Sequence, residues 1–430
     1  MQILIISEFY HPDPAAGQRV AEAASALAAR GHTVRVLAHG RGGAERSPRK
    51  DGVEVERLRV PSEPGSSLFG KMAASACFEL FAMLRALVSR QPLDVLLTVS
   101  TPPMCHVAGA IVSRLKGSAH IFWCADLHPE SLFAIRALSP NSLAGRLLAR
   151  ANRWALGRCD AIVAVGRCMR ERLAAQGAAE KSIVTVPMWH RDSLAMPPDP
   201  ARVNALRSEL QLGGRFVVMY SGNLGRMHHF EAVLGVAELL DRGFVFLFSG
   251  SGPGVEQLRA EAKRRGLEQI VIHSFFPEEI LPEALALGDV HLITLRNSAA
   301  GVSVPGKLYG AMAAGRPVIF IGPAQSEVAL TIQEERCGYV VAESDMESLA
   351  QALLALRADR ARAEALGCRA RAAFLVRYCQ SRRCAQFSQA IERAVAEINA
   401  DLSASRASAY PRTPAESQPS NEFTSQSVID

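Results

Sequence analysis

Short apolar runs recur along the chain, separated by stretches in which apolar residues return every three or four positions. The opening QILII leads through a turn-rich HPDPAAGQ into RVAEAASALAARG, whose apolar positions keep helical spacing and which Gly31 closes. TVRVLAH follows, so the chain begins with a strand–helix–strand unit. Runs at 94–100 (DVLLTVS), 120–126 (HIFWCAD), 161–166 (AIVAVG) and 183–187 (IVTVP) predict further strands with helices between them. Apolar runs of this continuity belong to parallel sheets covered on both faces. Residues 188–202, MWHRDSLAMPPDPAR, interrupt the pattern with prolines and weak periodicity, and predict a connection between domains.

The alternation then restarts with RFVVMYSG, FVFLFSGSG, IVIHSF, VHLITL, PVIFIG and CGYVVA as strands, each pair separated by a helical stretch. Two doubly wound α/β domains follow. Their expected bounds are 1–190 for the first, 191–204 for a linker and 205–385 for the second, with a helix over 386–402 returning to the first domain. From Ser403 the composition turns to Ser, Pro, Thr and Gln without periodicity, which predicts a disordered segment over 403–430.

Composition narrows the class. At 430 residues with 49% apolar residues, the chain suits two or three domains with sizeable cores. Met1 runs straight into a strand-like segment, so no signal peptide is expected, and the best membrane-span candidate, 73–88, contains Glu79 and Arg85. Nine cysteines, odd in number and without a CxxC pair, predict scattered thiols rather than a disulfide frame or a zinc site. A cytoplasmic enzyme is the expectation. The net charge of +6 is unevenly placed: between Arg85 and Arg172 twelve Lys or Arg face five Asp or Glu, so that window holds the whole positive excess. Such a segment suits an anionic membrane, a phosphorylated substrate or nucleic acid, and equally a set of solvated helix faces.

Candidate chemistry sits where strands end, because open parallel sheets bind ligands beyond their carboxyl edges. In GVSVPGKLYGAMAAGRPVIF a helix is expected from near Pro305 to Gly315, which puts Lys307 at its start. A lysine there opposes the helix dipole unless an anion lies between them. Glycine-bearing loops around Gly17, Gly222, Gly250, Gly252 and Gly301 are candidates to let backbone amides approach a phosphate, or are ordinary tight turns. Arg226, in a glycine-bracketed turn after a strand, is expected to converge with Lys307 on one diphosphate. His228 and His229 beside it are candidate phosphate donors or neutral surface histidines. Asp126 and His128 in CADLHPES, with Glu130 following, are candidates for acid, base or sugar-hydroxyl contacts, although Asp126 also fits a cap for a helix starting near Pro129. Glu327 suits the first turn of a helix. GxGxxG is absent after the first strand, so no nicotinamide or flavin cofactor is expected, and no metal is required.

Together YSGNLGRMHHF, FSGSGPG, SFFPEEILPEALALGDVHLITL, SVPGKLYGAMAAGRPVIFIG and CGYVV resemble the retaining glycosyltransferases of family four. The opening ISEFYHPDPAAGQRVAEAASALAARGHTVRVL and WCADLHPESL look like the branch that builds bacterial surface polysaccharides such as colanic acid, capsule and O-antigen. The resemblance implies a GT-B fold, two facing Rossmann-like domains with a central cleft. The resemblance further implies that the second domain binds a nucleotide-sugar, with a UDP-sugar as first expectation, and the first a glycan or polyprenyl-diphosphate-linked acceptor. It implies that Gly17 approaches the donor diphosphate, that Arg226 and Lys307 contact it, that amides at Ser303 and Val304 face it, and that Phe275, Phe276 and Pro277 lie near the base. Gly222 and Asn223, Gly250 and Gly252, and Glu327 join that donor set. Many relatives carry two glutamates eight positions apart; Val302 and Gly310 stand there instead, while the VPxK pattern ending in Lys307 is similar to the polysaccharide branch. The expected partners are therefore the donor, the acceptor and the inner face of the cell membrane, with no nucleic acid. A nucleotide-sugar epimerase of the same fold and a non-catalytic nucleotide-sugar binder remain as rivals.

Overall fold

The computed structural model describes residues 1–12, 16–40, 47–60 and 68–409. The opening unit forms as the pattern predicts: β1 (Gln2–Ile6), α1 (Ala16–Ala29) and β2 (Thr33–His39), with β1 and β2 parallel. Two strands that the sequence reading passed over follow, β3 (Ser47–Lys50) and β4 (Val53–Leu58). In β4, buried Val53 and Val55 alternate with partly exposed Glu54 and Glu56, the pattern of a strand near a sheet edge rather than of a continuous apolar run.

Next come α2 (Leu68–Val88), β5 (Val95–Val99), α3 (Cys105–Lys116) and β6 (Ala119–Cys124). Then α4 (Glu130–Ala134), α5 (Leu143–Leu156), β7 (Ala161–Ala164), α6 (Arg167–Ala175) and β8 (Ile183–Thr185) complete the first sheet. Its order is β3-β4-β2-β1-β5-β6-β7-β8, parallel except for β3.

Within the expected linker a helix begins: α7 (Pro200–Glu209), started by Pro200 and by Asp199, whose side chain accepts the Ala201 N–H. None of its residues is fully buried, so it has no apolar stripe for periodicity to reveal. The second sheet is built from β9 (Phe216–Ser221), α8 (Glu231–Leu239), β10 (Phe244–Ser249), α9 (Gly254–Arg264), β11 (Ile270–His273), α10 (Leu281–Ala286) and β12 (Val290–Thr294). It continues through α11 (Lys307–Ala313), β13 (Val318–Ile321), α12 (Glu327–Glu335) and β14 (Gly338–Val341). All its strands are parallel, in the order β11-β10-β9-β12-β13-β14.

The chain closes with α13 (Met346–Ala358), α14 (Arg360–Ala373) and α15 (Gln380–Ala409). α15 lies on α1 of the first domain, where Glu392 bonds Arg30 (2.6 Å) and His32 (2.9 Å). It runs past Ser403, where the composition changes; residues 410–430 of the segment expected to be disordered lie outside the described residues. Strand order reverses between β1 and β5 in one sheet and between β9 and β12 in the other. These switch points are where doubly wound sheets open a crevice for ligands. One buried apolar cluster runs from the first sheet through Trp189 into the second.

A candidate active site between the two domains

Past the carboxyl end of β9 the chain turns at Gly222, whose φ is +138°. A Cβ there would lie 2.6 Å from Lys307 Cε, so the glycine makes room for the lysine stem. The next two glycines serve a different end. A Cβ on Gly250 would overlap the Gly222 carbonyl oxygen, and one on Gly252 would overlap the Asn223 side chain. The space they leave is filled by the neighbouring loop and not left open to a ligand.

Lys307 begins α11, which has only seven residues, so the lysine and not the helix dipole dominates the local electrostatics. Its Nζ lies 2.9 Å from His228 Nε2 and 5.1 Å from the centre of the Tyr220 ring. Among the described residues no carboxylate is within ion-pair distance of it. Burial brings the Lys307 ammonium down to about 7 and the His228 imidazole down to about 3. A positive group held this way, without a counter-charge, suits an anionic ligand.

Arg226 and Lys307 do not share a cavity. Lys307 borders a pocket of about 50 Å³ with His190, Ser221 and Gly310. The exposed Arg226 borders a groove of about 1180 Å³, together with Arg296 from the second domain and Ala134 to Arg136 from the first. His228 lies between them, touching Lys307 and also lining the groove.

From the first domain, β6 leads into Asp126, which forms an antiparallel bridge with Ser303. The Leu127 N–H donates to the Val302 carbonyl at 2.8 Å, so the strand end and the loop before Lys307 are stitched together across the cleft. Asp126 does not cap α4, whose first turn follows Pro129 with no side-chain cap. His128 bonds Ser131 Oγ at 2.5 Å and burial lowers its affinity for a proton, while burial raises that of Glu130. Val304 is buried, and a Cβ on Gly166 would be 3.1 Å from its side chain. Gly17 is buried within α1.

Glu327 is engaged rather than free. One of its oxygens accepts the Arg167 backbone N–H at 2.6 Å and Nε at 3.2 Å, and the other accepts Nη2 at 3.1 Å; Arg167 also bonds Glu334. This pair joins α6 of the first domain to α12 of the second. Phe276 stacks on His273 with ring centres 4.4 Å apart, next to exposed Phe275 and Pro277 beyond β11. Sequence reading missed Arg19, Arg167 and His190. Arg19 Nε donates to the Trp189 carbonyl at 3.2 Å, and its Nη2 lies 3.1 Å from the Cβ position of Gly306. Arg167 had a signal, a cation directly after the AIVAVG run, but Arg19 and His190 had none.

Residues 15–189 match the glycosyl transferase 4-like domain family, and residues 215–359 match the glycosyl transferases group 1 family. The chain is a glycosyltransferase of the GT-B fold. It is 26% identical to a putative colanic acid biosynthesis glycosyl transferase of Escherichia coli K12, over 76% of this chain and 85% of that protein. A GDP-mannose-dependent phosphatidylinositol monomannoside mannosyltransferase of Mycobacterium tuberculosis is 29% identical over 48% of this chain and 55% of its own length. In shape this glycosyltransferase matches an Anabaena protein solved with UDP and glucose, with a TM-score of 0.72 over 91% of this chain and 100% of the other, at 16% identity. Among the described residues no helix is long and apolar enough to cross a membrane, and no group of three or more His, Cys, Asp or Glu could hold a metal ion.

Proposed function

We propose that the chain transfers a sugar from a nucleoside diphosphate donor, a UDP-sugar by first preference, to a glycan or polyprenyl-diphosphate-linked acceptor in surface-polysaccharide synthesis, with retention of configuration. The observation that carries this reading is Lys307: a buried ammonium without a carboxylate partner, at the carboxyl edge of the second sheet beside Gly222, Tyr220 and His228. A departing nucleoside diphosphate develops negative charge, and a fixed cation in a water-poor cleft stabilises it most. The exposed Phe275 offers the base an aromatic face. Arg226, with Arg136 and Arg296 in the wider groove, suits the sugar or acceptor side better than the diphosphate. In this reading Asp126 and His128, which follow the first-domain strand β6, position the acceptor, and the leaving phosphate itself serves as the base for the acceptor hydroxyl. The polysaccharide context rests on the Escherichia coli relative, whose name carries colanic acid biosynthesis.

The test is an assay of nucleotide release and acceptor elongation with UDP- and GDP-sugars and a lipid-linked acceptor. Lys307→Ala is expected to lower turnover about a hundredfold, and Arg226→Ala only about tenfold. Unchanged turnover in Lys307→Ala would remove the reading. Formation of an epimer without acceptor, or binding without turnover, would favour the two rivals.

For the acceptor's membrane we propose one face of the first domain. There α2 packs on α3 and α3 on α5, and their outer sides expose Leu80, Phe81, Leu84, Leu115, Leu143 and Leu147. Arg114, Arg146, Arg150 and Arg153 lie on the same helices. Apolar residues interleaved with cations suit the interface of an anionic bilayer.

A further inference from the structure

We propose that His228 is a positioning residue for Lys307, holding its ammonium beside Gly222, and that a nucleoside diphosphate binding there draws one proton from solvent onto the lysine. The proposal rests on the donor reading above. Its basis is the direction of two hydrogen bonds. His228 Nδ1 lies 2.5 Å from the Thr294 carbonyl oxygen, which can only accept, so the ring hydrogen is on Nδ1. In the neutral imidazole Nε2 is then a lone pair, and Lys307 Nζ, which as an ammonium only donates, lies 2.9 Å from it. The chain Lys307 to His228 to Thr294 therefore has one polarity.

The surroundings leave the pair without an anion. Tyr220 of β9 turns its ring to Lys307. His190 from the interdomain segment and His291 from β12 border the same small pocket, and His229 and Arg296 act on His228. Glu343 reaches His229 at 3.8 Å and Arg296 at 4.0 Å, but is not paired with Lys307. With the lysine brought down to about 7 by desolvation, most of the free protein carries it neutral near pH 8. A pyrophosphate would supply the missing counter-charge, restore an ordinary lysine and so take up a proton.

Calorimetric titration with UDP and with GDP tests this, at about pH 6.5 and about pH 8, in two buffers of unequal ionisation enthalpy. At each pH the proton uptake of Lys307→Met is subtracted from that of wild type, which removes the nucleotide's own titration common to both, and the remaining uptake is expected to be larger at about pH 8 than at about pH 6.5. His228→Ala should bind about tenfold more weakly, and His228→Gln, which returns an accepting oxygen, should recover to within about threefold. Melting temperatures separate weakened binding from lost folding, and the glutamine variant keeps the test open if the alanine variant does not fold. Affinity in His228→Ala within about twofold of wild type, or proton exchange at about pH 8 equal in wild type and Lys307→Met, would overturn the proposal while leaving the donor reading in place. Failure of wild type to bind either nucleotide would overturn both.

Discussion

A methyl group on Gly222 would meet Lys307 at 2.6 Å from Cε and 3.0 Å from Cγ, on a backbone whose φ of +138° already disfavours a side chain. Gly222→Ala is therefore expected to lower stability by about 1 to 3 kcal/mol and to weaken nucleotide binding by displacing the lysine, both readable in one thermal-shift series with and without UDP. The wild-type protein has its own pH signature. Lys307 is charged below about 7 and loses its proton above it, so anion affinity should be highest on the acid side and fall as pH rises. A flat affinity profile from about pH 6 to about pH 9 would contradict that assignment. Lys307 and Gly222 could be singled out in the sequence because both stand in loops of one domain, but the room that Gly222 leaves for the lysine stem shows only once the two loops are packed together. Glu327 was legible as a residue but not in its task, since its partner Arg167 is 160 positions away and only the meeting of two domains joins them. Arg19 was hidden for the same reason: an arginine in the first turns of a surface-type helix has no local mark of facing a cleft.

Among elements, the strands were the most readable part. Val95 to Val99 and Phe244 to Ser249 are buried throughout, and full burial on both faces demands the unbroken apolar runs that the chain displays. β4 escaped notice because it needs only alternate apolar residues, and α7 because it buries no residue fully. The return of α15 depends on an aromatic cluster: Phe387 lies 4.6 Å from Trp123, which stacks on Trp189 at 5.8 Å, while Trp189 Nε1 donates to Glu22 at 2.7 Å. Phe387→Ala should cost about 3 to 5 kcal/mol in chemical denaturation and loosen α15 first, as seen by hydrogen exchange. On the opposite layer, Leu84→Glu with Leu147→Glu is expected to reduce co-sedimentation with anionic vesicles while leaving nucleotide affinity unchanged. Equal sedimentation of variant and wild type would dismiss the three-helix face as the docking surface.

At the scale of the whole molecule, directional contacts add to the shared apolar cluster in joining the two domains, among them the Asp126–Ser303 bridge, the Leu127 to Val302 bond and the Arg167–Glu327 pair. Arg167→Gln removes the guanidinium while keeping the α6 backbone N–H for Glu327, so the expected outcome is a more open average shape, read as a larger radius of gyration in small-angle scattering, with a raised KM for the donor. The chain passes between the domains twice, at residues 186–199 and again near 379, and the two passages run side by side: His190 pairs with Cys379, and the His190 N–H donates to the Tyr378 carbonyl at 3.3 Å. Two crossings fastened together act as a single pivot. Any motion of the halves is therefore expected to be a swing about that line, like covers about a book's spine, rather than a slide that would break the His190 to Tyr378 bond.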